Sequence, residues 1–117
     1  MNLYETFLWE SLYLRNHLFI AGQPGIDFKS GLISTDFETQ ARQAFTNLSL
    51  VLQAAGSSLD KVAKTMIWLV DASNFGCLNK LYAECFPTNP PVRSTPIVAL
   101  PKREFHLSIE AIATLDD

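Results

Sequence analysis

The residues best suited to chemistry lie in one short stretch, PPVRSTPIVALP, between Pro90 and Pro101. Arg93 follows an apolar residue there, precedes the hydroxyls of Ser94 and Thr95, and opens a run of β-forming residues. A planar guanidinium can hold a carboxylate through two parallel charge-assisted hydrogen bonds, and at the edge of a core strand it is costly unless paired. The stretch therefore predicts either a site for a small organic anion or a structural salt bridge to a glutamate of the same or a neighbouring chain.

Other catalytic patterns are weak. Cys77 and Cys85 lie eight residues apart, which is neither metal nor redox spacing and is consistent with a reducing compartment. No cluster of His, Cys, Asp and Glu has the spacing of a metal site. Ser94 has no histidine base nearby in sequence, so a hydrolase triad has little support. We therefore predict no metal site.

The composition indicates one domain over residues 1–117 that associates with other chains. Hydrophobic residues make up 48% of the chain and charged residues 18%, whereas about 25% charged residues is typical. A chain so poor in charge is expected to hide part of its surface in an oligomer rather than remain an ordinary monomer. The net charge of −3, without a basic run, argues against a nucleic-acid partner. No segment has the length of a membrane span and the start lacks a basic signal region, so we expect a cytoplasmic protein.

Hydrophobic periodicity predicts the order β-β-α-β-α-β-β, an α+β domain with one mixed sheet and two helices on one face. The predicted strands cover residues 8–14, 18–21, 64–70, 93–100 and 105–113, with a possible stub at 32–33 and loops at 23–25 and 27–31; strand character begins at residue 59. The predicted helices cover residues 35–55, with Thr35 and Glu38 as a capping box and Gly56 as the stop, and residues 73–86. Because the segment 64–70 is apolar on both faces, one face must meet helices and the other a neighbouring subunit or sheet.

Five segments together resemble the Rid family, the reactive intermediate deaminases also called YjgF-type or UK proteins. The segments are LFIAGQPG, QARQAFTNLSLVLQAAGSSLDKVAKTMIWLVD, FGCLNKLYAECF, PPVRSTPIVALP and IEAIA, and the likeness spans residues 8–113. It implies a chorismate-mutase-like fold and a homotrimer whose sheets form a central barrel-like core, with three clefts between subunits. It also implies hydrolysis of enamines and imines such as 2-aminoacrylate to 2-keto acids and ammonia. The implied partner is a small carboxylate substrate, with no cofactor, nucleic acid or membrane.

The resemblance assigns roles to four residues. Arg93 matches the family arginine that holds the substrate carboxylate. Asn79 matches an asparagine of the second helix near the cleft, with a solvent-facing helix residue as the alternative. Gly22 matches a glycine at which the backbone approaches the ligand, with a tight strand exit as the alternative. Thr95 replaces a family cysteine and keeps its small size and a hydrogen-bonding group.

The last strand departs from the family. Active deaminases often read Glu-Ile-Glu-Ala where this chain has Ser-Ile-Glu-Ala, so Ser108 occupies the position of the glutamate that helps to place the attacking water. Alternate strand residues share a face, so His106, Ser108 and Glu110 are predicted to line one polar strip. Glu110 is then either a catalytic group in a cleft shifted by one residue pair or a structural acid at the trimer contact.

Three further departures concern the rest of the cleft. Ala21 replaces a family serine, and Leu8 occupies the position of a tyrosine that often completes the pocket. That contact is either lost or supplied by Tyr4 or Tyr13. The segment after the arginine is one residue shorter than in the enzymes and contains Pro96, so the local register near the cleft is expected to differ from theirs.

Three functions remain open from the sequence. The first is a hydrolytic deaminase of reactive enamines and imines, with Arg93 binding the carboxylate in an inter-subunit cleft. The second is a non-catalytic trimer of the same family that binds a small carboxylate metabolite. The third is an interaction or holdase-like module, or the ribonuclease activity attributed to relatives, against which the acidic balance of the chain argues.

Overall fold

Five strands form one mixed sheet in the computed structural model, which describes residues 11–115. The strands are β1 (Ser11–Leu14), β2 (His17–Pro24), β3 (Val62–Leu69), β4 (Val92–Ser94) and β5 (Leu107–Thr114). Their order across the sheet is β1-β2-β5-β3-β4, in which β3 and β4 are parallel and the other neighbours are antiparallel. The sheet therefore ends in two short edge strands, β1 and β4.

The first helix, α1 (Phe37–Ala54), begins at a different cap from the one that the sequence predicts. Its N-cap is Asp36, whose carboxylate accepts hydrogen bonds from the backbone N–H of Thr39 at 3.0 Å and from the Thr39 hydroxyl at 2.8 Å. The capping box of Thr35 and Glu38 is therefore wrong, because the aspartate next to the first helical residue takes the cap position.

The stop at Gly56 is confirmed. Gly56 has a φ of 86°, which a residue with a Cβ rarely adopts. Its N–H donates to the carbonyl of Gln53 at 3.1 Å, and the N–H of Ser57 donates to the carbonyl of Leu52 at 2.8 Å. These two bonds form a Schellman motif, which satisfies carbonyls that the end of the helix would leave unpaired.

The second helix, α2 (Phe75–Cys85), is shorter than predicted, because a 3₁₀ turn over Ala72–Asn74 precedes it. A second 3₁₀ turn, over Leu59–Lys61, occupies the start of the segment that was expected to be strand, and β3 follows it. Neither helix of the described chain is long and apolar enough to cross a membrane.

The two faces of the sheet differ in their cover. Alternate residues of β5 are buried, and those of β3 from Thr65 onwards follow the same alternation under the two helices. We call the other side the open face, because neither helix covers it. It carries Phe19, Ala21, Lys64, Met66, Trp68, Ser108, Glu110 and Ile112. The predicted helix cover on one face is therefore confirmed, and neither helix of residues 11–115 provides the predicted cover of the other face.

The predicted strand 93–100 is wrong beyond Ser94. Pro96 has no N–H to donate, so the ladder to β3 is interrupted there. It resumes at one bridge, in which Leu69 N–H donates to the carbonyl of Pro96 at 3.0 Å and Val98 N–H donates to that of Leu69 at 2.9 Å. The pairing offset between the two segments is the same on both sides of the break, so the segment after β4 keeps the register of β4 against β3.

The segment after β2 also differs from its prediction. β2 continues to Pro24 through a bulge between Ile20 and Gln23, so residues 23–24 are strand rather than loop. The predicted strand stub at residues 32–33 is reduced to a single bridge between Ile26 and Ile33.

Two buried amides of α1 hold the chain around these irregular segments. Gln40 Nε2 donates to the carbonyls of Ser34 at 2.8 Å and Glu104 at 2.9 Å, while its Oε1 accepts from His106 N–H at 2.5 Å. Asn47 Nδ2 in the same way donates to the carbonyl of Pro24, the last residue of β2, and to that of Ile26 just after it, both at 2.8 Å. These bonds fix the start of β5 and the end of β2, which both carry predicted site residues.

Replacement of Gln40 by alanine is expected to destabilise the fold by about 2 to 4 kcal/mol, because three backbone groups lose their partner. The control is Gln53→Ala on the same helix, where an exposed amide makes a single side-chain bond of 3.4 Å to Ser49. Its expected cost is within about 0.5 kcal/mol. Urea unfolding of both variants measures the difference, and equal losses would contradict the role assigned to Gln40.

Candidate functional site

Arg93 lies on the edge strand β4 with its side chain on the helix-covered face. It pairs with the buried Thr65 of β3, and paired residues of neighbouring strands share a face. Its Nη2 donates a hydrogen bond of 2.6 Å to Oδ1 of Asn79 on α2. Within residues 11–115, Arg93 forms no ion pair with a carboxylate. Its positive charge is therefore not neutralised by any described group of its own chain.

Two aromatic rings of α2 support the guanidinium. Its central carbon lies 4.6 Å from the ring centroid of Tyr82 and 5.5 Å from that of Phe75. Both distances are within the range of favourable cation–π contacts. Phe75 is 43% exposed, whereas Tyr82 is 8% exposed. The guanidinium thus rests on a buried ring and has a solvent-accessible apolar wall beside it.

Asn79 orients the cation without neutralising it. The residue is half-buried and bonded to Arg93, which differs from the alternative of a solvent-facing helix position. An amide oxygen accepts a hydrogen bond from the guanidinium but carries no formal charge. The remaining guanidinium donors therefore keep their preference for an anion.

Thr95 has a buried hydroxyl on the same face as Arg93. The constant register between β3 and the segment after β4 keeps residues 93 and 95 on one side of the sheet. The Oγ1 of Thr95 is buried and has no hydrogen-bond partner among the described residues. A buried hydroxyl without a partner is uncommon, and one beside a cation is suited to contact a bound ligand or a water molecule.

Phe75, Asn79, Tyr82, Thr95 and Arg93 are named here the arginine cluster. The sequence predicts Arg93, Asn79 and Thr95 as site residues, but it places Phe75 and Tyr82 only in the apolar stripe of the second helix. Their spacing from Asn79, four residues before and three after, puts all three on one helical face. That spacing is the sequence signal that could have identified the two aromatic residues.

Gly22 and Ser108 are in contact on the other side of the sheet. A Cβ placed on Gly22 would lie 2.5 Å from the hydroxyl oxygen of Ser108, so a larger residue at position 22 would displace that side chain. Close packing against Ser108 thus gives a structural reason for the glycine at this bulge.

Ser108 and Glu110 share the open face, as their spacing predicts. His106 precedes the first residue of β5, and its Nδ1 is buried without a described partner.

Glu110 faces a hollow of about 390 Å³ on the open face. It pairs with Met66 of β3 and is half-buried. The hollow is also lined by Phe19, Ala21, Lys64 and Ile112. We call Ala21, Gly22, Ser108 and Glu110 the open-face cluster.

The sheet separates the two clusters within one chain. The arginine cluster lies under α2 at the β4 edge, and the open-face cluster lies on the opposite side of the sheet. Tyr13 is not close to Arg93, because it lies on the far edge strand and its hydroxyl donates to the carbonyl of Ala55 at 2.7 Å. Leu8 and Tyr4, the other candidates for the N-terminal contact, lie outside the described residues.

Tyr82 is a neutral phenol in the arginine cluster. Burial raises the pKa of Tyr82 above its usual value, although the hydrogen bond with Thr65 and the charge of Arg93 lower it. The phenol therefore stays protonated at neutral pH.

Residues 11–115 contain no group of three or more His, Cys, Asp or Glu side chains that could hold a metal ion.

The amino-acid sequence is similar to one known family and to a human protein named as an imine deaminase. The sequence matches the family described as endoribonuclease L-PSP over residues 8–115. The human protein named 2-iminobutanoate/2-iminopropanoate deaminase is 38% identical over 98 residues, which cover 82% of this chain and 71% of that protein.

Solved structures agree in fold. RidA from the Antarctic bacterium Psychrobacter superimposes with a TM-score of 0.86 at 32% identity, covering 91% of this chain and 86% of that one. TdcF from E. coli, solved with bound serine, has a TM-score of 0.86 at 29% identity, with 92% and 87% covered. The predicted single mixed sheet with two helices is thus confirmed as the fold of these neighbours.

Replacement of Asn79 by aspartate is expected to weaken the binding of a small carboxylate by about tenfold, because an internal carboxylate would then compete for Arg93. Asn79→Ala, which removes only the orienting bond, is expected to cost about threefold. Calorimetric or NMR titration with 2-ketobutanoate measures both. Gln53→Glu adds the same charge at an exposed site of α1 and serves as the control. Equal affinities in the two charge variants would show that Asn79 does not face the anion site.

Proposed function

Because the chain belongs to the Rid family, also described as endoribonuclease L-PSP, we propose that it is a hydrolytic deaminase of reactive imines. Its substrates would be 2-imino acids and their enamine tautomers, of the 2-aminoacrylate type, and its products 2-keto acids and ammonia. The observation that carries the proposal is the unneutralised guanidinium of Arg93, held by Asn79 and two rings. Supporting it is the similarity to a human protein named for imine deamination.

The proposed reaction requires positioning more than reactive groups. Arg93 binds the carboxylate through two charge-assisted hydrogen bonds and draws electron density towards it. The enamine tautomerises to the imine, and water adds to the imine carbon. The resulting aminoalcohol loses its nitrogen as ammonia, so that one imine and one water give one 2-keto acid and one ammonia. These intermediates hydrolyse in water unaided, so fixed geometry and charge stabilisation are sufficient for acceleration.

Placement of the water is assigned to Glu110 in this proposal. Ser108, at the position where active relatives often have a glutamate, carries a neutral hydroxyl, which is too weak a base to replace a carboxylate. Glu110 lies two residues further along the same face of β5, and its carboxylate can accept a hydrogen bond from a water in the open-face hollow. Thr95, with its unpartnered hydroxyl, is the proposed second contact beside Arg93.

A complete site requires two chains, since Arg93 and Glu110 lie on opposite sides of one sheet. The proposed contact brings the β4 edge of one copy to the open face of the next. Large apolar side chains are exposed on both surfaces, with Val92 at 68% and Ile97 at 53% on one and Leu12 at 66% on the other. Burying them together is favourable, and a head-to-tail contact of this kind forms a closed ring when the rotation between neighbouring copies divides a full turn. The family resemblance indicates a ring of three.

A second candidate function is a carboxylate-binding trimer without catalysis. Ser108 in place of the family glutamate favours it, because the arginine cluster would persist without a water-placing acid at that position. The TdcF structure, whose fold is shared by this chain, contains bound serine, an amino acid with a carboxylate. An affinity for small 2-keto acids together with no acceleration of imine hydrolysis would support this alternative.

The deaminase proposal predicts that Arg93→Ala lowers the rate of keto-acid formation from 2-aminoacrylate generated in place by about 100-fold, because the carboxylate loses its bidentate partner. Arg42→Ala is the control, since Arg42 is exposed and paired with Glu38 at 3.4 Å and Glu84 at 3.1 Å. Its rate should stay within about twofold of that of the parent. No acceleration over buffer by the parent protein would reject the deaminase for this substrate.

The two-chain site predicts complementation. Chains with Arg93→Ala and chains with Glu110→Gln should each be inactive, yet a mixed assembly of both should recover roughly a quarter of the parent activity. In a randomly mixed ring about one contact in four joins an intact Arg93 to an intact Glu110. Co-expression with two affinity tags yields the mixture. No recovery would indicate that the residues do not meet across chains, and full activity of the Glu110→Gln homomer would show Glu110 to be structural.

A further inference from the structure

We infer that Tyr82 is the positioning residue that holds Arg93 in its binding geometry, an inference that rests on the proposed function and deepens it. Tyr82 acts in two ways. Its ring supports the guanidinium, and its hydroxyl fixes the backbone two residues before Arg93. Neither action involves contact with the substrate.

The ring of Tyr82 is itself packed in the core. It is 8% exposed and packs against Phe86 with ring centroids 4.8 Å apart and against Phe45 at 6.3 Å. The guanidinium carbon of Arg93 lies 4.6 Å from its centroid, closer than to the ring of Phe75. Cation–π attraction is stronger where water is excluded, so the buried ring is the better support.

The hydroxyl of Tyr82 forms a directed chain of hydrogen bonds. It donates to the carbonyl of Pro91 at 3.1 Å, and it lies 3.0 Å from the hydroxyl of Thr65. A phenol has one proton, so the bond with Thr65 must be donated by Thr65. The two hydrogen bonds therefore run from the hydroxyl of the fully buried Thr65 to the hydroxyl of Tyr82, and from there to the carbonyl of Pro91.

The anchored carbonyl matters because β4 is a weak strand. β4 has three residues, lies at the edge of the sheet and is followed by the ladder break at Pro96. Pro91 immediately precedes it. The bond from Tyr82 thus ties the start of this short strand to the core, and Arg93 starts its side chain from a fixed backbone. A cation that is ordered before the ligand arrives loses less conformational entropy on binding.

Tyr82 is not suited to act on the substrate. Its hydroxyl already uses its proton on Pro91 and accepts from Thr65. Burial raises its pKa, so it does not provide a base near neutral pH. Its influence on the reaction therefore passes through Arg93, and the substrate-facing wall of the cluster is left to Phe75.

The affinity test compares Tyr82→Leu, Tyr82→Phe and the control Leu81→Ala in titrations with 2-ketobutanoate. Tyr82→Leu removes ring and hydroxyl and should weaken binding about tenfold, whereas Tyr82→Phe keeps the ring and should weaken it about threefold. Leu81→Ala removes a buried side chain of the same helix and should change affinity less than twofold although it lowers stability. In turnover, Tyr82→Leu should raise KM more than it lowers kcat. An effect of Leu81→Ala equal to that of Tyr82→Leu would overturn the inference.

A double-mutant cycle separates action through Arg93 from general destabilisation. Arg93→Lys keeps the charge and loses the planar group that stacks on the ring. If the ring of Tyr82 acts through the guanidinium, Tyr82→Leu should cost only about threefold in the Arg93→Lys background, where the loss of the backbone anchor remains, against about tenfold beside Arg93. The same tenfold loss in both backgrounds would contradict the inference while leaving the proposed function standing.

A ligand-free measurement keeps the inference testable if the parent protein neither binds nor hydrolyses these compounds. The Nε–H signal of Arg93 in a ¹⁵N NMR spectrum, assigned by its loss in Arg93→Lys, reports the order of the side chain. Its heteronuclear NOE should be that of a rigid group in the parent and in Tyr82→Phe, and that of a mobile group in Tyr82→Leu. An Arg93 signal that stays rigid in Tyr82→Leu would reject the positioning role whatever the protein catalyses.

Discussion

The arrangement of the protein depends on one unneutralised cation at the edge of a sheet. Arg93 receives a 2.6 Å contact from a neutral amide and support from two rings, but no carboxylate of the described chain. Partial burial of a charge without a counter-ion costs free energy, and binding of a small organic anion beside the guanidinium would offset that cost. Neutral groups around the guanidinium leave it available for such an anion, whereas an acidic neighbour would pair with it.

The positions of Arg93 and Glu110 on opposite faces of the sheet bear on how the protein assembles. Side chains alternate between the two faces of the sheet, so the sheet itself separates the Arg93 and Glu110 side chains of one chain. Packing of the helices on one face leaves the other face with half-exposed Met66 and Trp68. A second copy that covers this open face would bury apolar surface and bring the two clusters together in one step, which links the stability of the assembly to completion of the site.

Polar groups in the core hold the irregular segments that regular hydrogen bonding cannot hold. Gln40 fixes the approach to β5, Asn47 the end of β2, and Tyr82 the approach to β4. Each bonds to backbone carbonyls where a proline, a bulge or a strand start interrupts the ladder. The predicted site residues all lie within a few positions of these anchors, so the precision of the site comes from buried side chains that do not contact the substrate in the proposed reaction.

The element order, the helix-covered face, the stop at Gly56 and the roles of Arg93 and Asn79 near one cleft could be predicted, because periodicity, a glycine and the Rid resemblance are local or pattern-level signals. The Asp36 cap could not, because Thr35 and Asp36 are neighbours and both are residue types that cap helices. Nor could the length of β4, because one missing N–H at Pro96 outweighs β propensity. The contacts of Tyr82 and Phe75 with the cation depend on tertiary packing, because an apolar stripe on a helix does not specify which strand it will meet. The position of Glu110 on the opposite side of the sheet from Arg93 depends on it as well, because strand order and register are set by contacts between residues far apart in the chain.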